Sequence, residues 1–467
     1  MSEESTGAVV TFDDVVKKNP VLTATLASLI GLCIPLQMVS QTWDDHDRSG
    51  RYACRDFGLN YLNTLPEEGN PIIFTNGDND TFPLWYNQEV EGNRTDARVC
   101  NLSYLQTDWY TDQMLRPAYD SPALPITWPR LYYVDNGKHA FYPIRNEYRS
   151  ELERIKQDNP AVDPYELSYV IDHYVRKEEG GFFPTDSLVV PVDKEAILRS
   201  GMYLPCDTAE IPEKMIISLA QVAKNRGGLY RSDVMIYEML AHADWKRPMY
   251  MSVTLGRENY ASLQNYLVLE GLAYRITPFN FGTMATIDTR AMKRNMLERF
   301  RYGQMNKPGL YLDETVSRMC RTHRRMFLML ADRLLREGDT KGAAEVIRKC
   351  EKELPAYNIP YTDDDSQLAS LLYEVGDTKG ALRVAKEVSK YDRQYLRYLN
   401  SLGDNLLTTY RSTTYYLVTS LMECAAVFHE MKGKEAEMEL RLIDTIYPTE
   451  AFQQGFSYYQ EQLQASR

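Results

Sequence analysis

The chain has 467 residues, a formal net charge of −12, and 44% hydrophobic and 25% charged residues. That length is too great for one core and points to about two to four domains. The acidic balance, with no Lys/Arg-rich block, excludes nucleic acid as a partner. The seven cysteines (Cys33, Cys54, Cys100, Cys206, Cys320, Cys350, Cys424) form no CxxC pair. This excludes zinc-ribbon and thioredoxin-like chemistry and leaves disulfides open.

Residues 20–43 carry no charge. At about 1.5 Å per residue such a run crosses a hydrocarbon core of about 30 Å. Lys17 and Lys18 precede it, and Asp44, Asp45, His46 and Asp47 follow. The positive-inside rule then puts the N-terminus in the cytoplasm and everything after Trp43 outside. Glu3, Glu4, Asp13 and Asp14 argue against a cleaved signal peptide, and Leu32 before Cys33 argues against a lipoprotein signal. A buried helix of a soluble protein is the remaining alternative, since the run holds Thr, Ser, Gln and Pro35. The polar stretch Trp43-Asp44-Asp45-His46-Asp47-Arg48 reads as a solvated helix start. A metal cluster, or a headgroup contact through Arg48 and Arg51, would use the same residues.

Residues 55–65 (RDFGLNYLNTL) place Phe57, Tyr61, Leu62 and Leu65 at helical spacing. Residues 71–75 are a short apolar strand, 81–90 a helix, and 97–102 a second strand, together a βαβ-like unit. Residues 131–142 predict a hairpin, because Asn136-Gly137 suits a tight turn. Residues 147–177 read as mostly charged helix and 187–192 as an edge strand ending near Pro191. Ser232 is positioned to cap the helix DVMIYEMLAHADW, and MYMSVTLG (249–256) follows as a strand. Residues 263–272 look helical and 273–277 look like a last strand. Beyond about residue 285 strand patterns vanish. GDTKGAAEV from Gly338 and GDTKGALRV from Gly376 repeat with a period of 38 residues. Each follows one apolar helix and opens another, with the repeated glycine as a stop and Gly342-Ala343 or Gly380-Ala381 allowing close packing. These resemble tetratricopeptide repeats with an insertion at 357–365. A weaker third hairpin spans 422–447.

The segment PIIFTNGDNDTFPLW (71–85) sets an acidic cluster, Asp78-Asn79-Asp80, at a strand end, where α/β sheets bind ligands. Asp78 and Asp80 are the candidate metal ligands, for a divalent cation such as Mg, Mn or Ca, as in the DxD of GT-A-type sugar-nucleotide transferases. A strand-end turn uses the same short polar residues for local hydrogen bonds. Asn76, Asn79, Trp85, Asp108 and Trp109 are candidates for a polar or glycan ligand, with Trp109 able to stack on a sugar ring. Ordinary packing is the alternative for the aromatic residues. The six histidines show no HExxH spacing, and GxSxG, Walker A and GxGxxG motifs are absent. No catalytic and no cofactor-binding residue is assigned. His323, in RTHRR, reads as part of a solvated helix face.

WDDHDRSGRYACRDF (43–57), IIFTNGDNDTFPLWYNQEVEG (72–92), NLSYLQTDWYTDQM (101–114), DWKRPMYMSV (244–253) and YLVLEGLAYRITP (266–278) occur in this order. They resemble the C-terminal, non-membrane half of a family of large bacterial membrane proteins. That family is grouped with the GT-C-type protein O-mannosyltransferases as glycosyltransferase family 117, formerly a domain of unknown function. Family members carry many membrane helices before the WDDHDR-like segment, and GT-C chemistry uses acids in early extracytoplasmic loops there. This chain shows at most one such helix, so no family catalytic residue is carried over and enzymatic activity is left open. The resemblance implies that residues 20–41 match the last membrane helix and that 43–467 are periplasmic, the helix lying in the inner membrane.

The expected architecture is therefore a polar segment (1–19), one transmembrane helix (20–42), an extracytoplasmic α/β domain with a short mixed sheet (43–285), and an all-α tetratricopeptide-like domain (286–467). The expected function is that of a non-catalytic accessory region of a protein O-mannosyltransferase-like membrane enzyme, binding acceptor protein or glycan. The alternatives are a metal-dependent sugar transferase using Asp78-Asn79-Asp80, and an envelope scaffold whose helical repeats hold a protein partner.

Overall fold

The computed structural model describes residues 19–134, 139–178, 180–282, 286–402 and 409–446, without the side chains of Asp44 and Asp45. The chain divides into two units: one up to Arg51 with Gly309–Leu312, the other Tyr52–Pro308 with Asp313 onward. In the first, α1 (Pro20–His46) contains the stretch Pro20–Trp43, long and apolar enough to cross a membrane and with none of it buried. Leu29, Ile30, Ile34 and Leu36 all stand exposed. In water that exposure would cost far more than in lipid. Residues 43–46 form the last turn of α1 and not a helix start, so the helix runs on into the acidic stretch.

The second unit holds a six-stranded sheet, with α2 (Ala53–Thr64) preceding it in the chain. Its strands are β1 (Ile72–Thr75), β2 (Arg98–Asn101), β7 (Met249–Ser252), β8 (Leu267–Leu269), β9 (Ala273–Ile276) and β10 (Thr286–Ile287), in the order β10-β8-β9-β7-β1-β2. β1 is parallel to both β2 and β7, with Ile72 opposite Arg98 and Met249. All four β1 residues are buried, as both faces of a central parallel strand must be. α3 (Asp78–Glu89) crosses from β1 to β2. β3 (Phe141–Pro143) pairs with β6 (Gly228–Tyr230), and β4 (Ser187–Pro191) with β5 (Lys214–Ser218).

Several expectations are corrected. Tyr142 pairs with Leu229 and residues 130–132 form a single helical turn, so no 131–142 hairpin forms; its Asn136-Gly137 tip lies outside the described residues. The charged stretch 147–177 is helical in two pieces, α5 (Arg149–Asp158) and a shorter segment over 167–175, with the break at Pro160 and Pro164. α6 (Arg231–His242) starts before Ser232, and Asp233 turns back to accept the Tyr230 amide at 3.0 Å. Residues 267–269 are strand, not helix, because their side chains fill the sheet core. All seven thiols are free.

The helical part comprises α7 (Glu314–Arg336), α8 (Thr340–Glu353), α9 (Ser366–Glu374), α10 (Thr378–Ser401), α11 (Arg411–Met431) and α12 (Lys434–Asp444). Gly338 and Gly376, at φ 82° and 89°, end the first helix of each repeated pair. Asp339 and Asp377 cap the next, accepting the Gly342 and Gly380 amides at 2.8 and 2.9 Å. A Cβ at Gly342 or Gly380 would meet that cap's own carboxylate at 2.1 or 2.4 Å. The cap, and not a neighbouring helix, thus accounts for these glycines; Ala343 and Ala381 are the buried pair-packing residues.

The RTHRR segment faces inward at two positions. His323 is buried, its Nε2 receiving the Asn60 amide at 2.9 Å and its Nδ1 donating to the Met319 carbonyl at 3.2 Å. Burial pushes its pKa down to about 4. Asn60 also spans the Arg301 backbone, so this pair ties α2 to the helical part. Arg324 is buried against Asp365 at 2.9 Å and the carbonyls of Leu354 and Ile359 at 3.0 and 2.7 Å. It anchors the loop at 357–365. Helical spacing alone does not distinguish an inward arginine from an outward one.

Candidate functional site

β1 connects through α3 to β2 on one side, while its other neighbour, β7, follows much later in the chain. The crevice at the carboxyl ends of β1 and β7 is therefore a topological switch point, the usual ligand position in open α/β sheets. Three short loops converge there: Asn76-Gly77 after β1, Leu102-Ser103 after β2, and Val253-Thr254 after β7. Gly77, at φ 84°, makes the left-handed turn that starts α3 immediately after the strand.

The edge is cross-tied. Asn101 donates to Thr81 Oγ1 at 2.8 Å and to the Gly77 carbonyl at 3.2 Å, and its own side-chain oxygen accepts the Tyr104 amide at 3.1 Å. The Ser103 hydroxyl donates to Asn76 Oδ1. The Tyr110 hydroxyl accepts the Asn101 amide at 2.9 Å.

Asp78, Asn79 and Asp80 form the first turn of α3 and not a strand-end loop. At about 100° per residue, positions two apart point to opposite sides of a helix. Asp78 and Asn79 are accordingly exposed, and Asp80 is buried. Asp80 Oδ2 accepts the hydroxyls of Thr254 at 2.8 Å and Ser252 at 3.2 Å and the Asn76 amide at 3.2 Å. Its Oδ1 is buried and takes no hydrogen bond. Burial raises the Asp80 pKa against the hydrogen bonds from Thr254 and Asn76. Asp78 Oδ1 takes only the Tyr104 hydroxyl, at 3.3 Å. Among the described residues no group of three or more His, Cys, Asp or Glu is placed to hold a metal ion. The Asp78 and Asp80 carboxylates point to opposite sides of α3 and so do not converge on one point.

Beside Asp78 lies a run of aromatic rings. Phe82 stacks on Trp85 (centroids 5.7 Å, interplanar angle 26°), Trp85 on Tyr104 (6.2 Å, 24°), and Tyr104 leans on Trp109 (5.8 Å, 46°). Tyr110 closes the inner side, edge-on to Tyr104 and Trp109. The two ends of this ladder, Phe82 at 46% and Trp109 at 57%, are well exposed, and Trp85 and Tyr104 are half-buried. Trp109 and Asp108 open α4 (Asp108–Met114). Asp108 is held by the buried Arg231 at 2.7 Å, which also donates to the Gln106 and His139 carbonyls.

The structure thus brings Asn76, Asp78, Trp85 and Trp109 to one edge and leaves Asn79 exposed beside them. It turns Asp80 to the β7 side and spends Asp108 on Arg231. Tyr104, Phe82, Ser252, Thr254 and Arg231 are absent from the sequence-based set. One signal for Phe82 was present: Asp78, Phe82, Trp85 and Glu89 recur at helical spacing and share one stripe of α3. Nothing local marks Ser252 or Thr254, which reach Asp80 only through the β1–β7 pairing.

The model of the TMEM260-associated domain 2 family matches residues 54–293, and the chain belongs to that family. The matched region runs from α2 through the whole sheet and so contains the entire edge described above. The family relates the chain to a glycosyltransferase-related membrane protein, as an accessory region. No curated protein and no solved structure matches the chain.

Proposed function

We propose that the chain is a membrane-anchored accessory region that binds a glycan, free or carried on an acceptor protein, at the carboxyl edge of β1 and β2. The observation that carries this reading is the Phe82–Trp85–Tyr104–Trp109 ladder beside the exposed Asp78 carboxylate. Flat aromatic faces cover the apolar face of a pyranose, and a carboxylate accepts pairs of its hydroxyls. The resemblance to glycosyltransferase family 117 supports the same reading. The family's membrane enzyme supplies the chemistry, and this region holds what it acts upon. Residues 43–467 then lie on the periplasmic side of the inner membrane, in keeping with Lys17 and Lys18 before α1. The test is retention of the full chain, in detergent micelles, on immobilised glycans. Retention is expected for at least one glycan class and is lost in Trp109→Ala. Retention of none, by a folded protein, refutes the reading.

A second reading concerns the helical pairs, taken as tetratricopeptide-like and as the protein-binding part. It is favoured by Tyr398, Tyr415 and Tyr416, which stand exposed on α10 and α11. Changing all three to Ser in the full chain is expected to abolish association with an acceptor protein and to spare glycan retention. An unchanged association refutes it.

A further inference from the structure

We propose that the ligand of this edge is a neutral, hydroxyl-rich glycan of more than one sugar ring, and that the acids flanking the ladder exclude anionic sugars. The proposal rests on the glycan reading above and adds its chemical class. The α3 stripe runs acid, ring, ring, acid: Asp78, Phe82, Trp85, Glu89. Glu89 is exposed and takes the Tyr119 hydroxyl. Neither acid has a cation within 4 Å in the ion pairs of the described residues. Two arginines near the Trp109 end are already paired, Arg231 with Asp108 at 2.7 Å and Arg130 with Asp112 at 3.1 Å. A phosphate, sulfate or uronate laid along the rings would therefore meet uncompensated negative charge at both ends.

The other ligand an acidic aromatic surface attracts is a basic peptide, and response to salt separates it from a sugar. An ammonium or guanidinium is held over a ring face by its charge, so its binding weakens in salt, whereas that of a neutral sugar does not. Here successive rings lie within 24–26° of parallel between Phe82, Trp85 and Tyr104. The ladder extends over centroid steps of 5.7, 6.2 and 5.8 Å, longer than one pyranose.

Titration of the full chain in neutral detergent, followed by tryptophan fluorescence, tests this. Ligands are a neutral hexose trisaccharide, the matching hexuronic acid trisaccharide, and a short Lys/Arg-rich peptide, all at low ionic strength so that repulsion is not screened. The neutral sugar is expected to saturate a fluorescence change, with the uronic sugar weaker by about tenfold or more, which is about 1.4 kcal/mol. Asp78→Asn and Glu89→Gln are each expected to narrow that gap, and addition of 0.5 M salt (roughly a 4 Å screening length) to narrow it in the unaltered protein. Equal or tighter binding of the uronic sugar overturns the inference and leaves the glycan reading standing. Displacement of the sugar by the basic peptide at lower concentration also overturns it. Binding of neither sugar overturns the glycan reading itself.

Discussion

Asp392 lies wholly buried on α10 against α11. Its Oδ2 accepts the Ser420 hydroxyl at 2.7 Å, and its Oδ1 is buried without a partner. Burial, with the nearby carboxylates of Asp363 and Glu423, pushes its pKa up to about 8, against the Ser420 hydrogen bond. In the unfolded chain the same group ionises near 3.8, the ordinary value of an aspartate. Folding therefore holds a proton that the unfolded state releases. Stability is greatest below the unfolded value, falls as pH rises from there to about 8, and is flat above. At pH 7 the loss from this one group is at most about 4 kcal/mol, taking 1.36 kcal/mol per pH step. Asp392→Asn keeps the Ser420 contact and cannot ionise. It is expected to stabilise α10 and α11 by about 2–4 kcal/mol at pH 7–8 and by about nothing near pH 4. Hydrogen exchange of α10 and α11 peptides at neutral pH should slow in the variant. Thermal melts of the full chain should show a gap that widens from pH 4 to pH 8. A variant destabilised equally at pH 5 and pH 8, or a wild type that gains stability across that range, would refute the reasoning.

Arg324→Ala leaves Asp365 buried and the Leu354 and Ile359 carbonyls without their donor. A loss of about 3–5 kcal/mol is expected, read as early melting and proteolysis at 357–365. Gly58→Ala places a Cβ 2.2 Å from the Pro83 carbonyl oxygen. It should cost about 1–3 kcal/mol and, by displacing α3, weaken glycan retention as well; an unchanged melt would show that α2 and α3 separate without strain. Millimolar Mg, Mn or Ca is expected to leave the melting temperature unchanged, because Asp78 and Asp80 diverge. A shift abolished by Asp80→Ala would establish a cation site instead.

The periodicities of the sequence determine a good deal. The apolar run at 20–43, the strand–helix–strand unit ending in β2, and the repeated helix stop and cap at Gly338-Asp339 and Gly376-Asp377 are all local. Each depends on residues a few positions apart, and each stands in the structure where the spacing puts it. The helical phase of 263–272 misleads, because a short apolar run fits a buried strand equally well. The hairpin at 131–142 fails for a similar reason: a good turn does not choose the partner of the strand that follows it. His323 and Arg324 show the same limit from the polar side, since only Asn60, Asp365 and the 357–365 loop make a buried site for them. At the candidate site, sequence places Asp78, Asp80, Trp85 and Trp109 near strand ends. Tertiary pairing alone decides that Asp80 turns inward to Ser252 and Thr254 while Asp78 joins the ring ladder through Tyr104. The reason is physical: hydrogen-bond periodicity is written in neighbours along the chain, whereas a site is assembled from loops that meet only once β1 has found β2 on one side and β7 on the other.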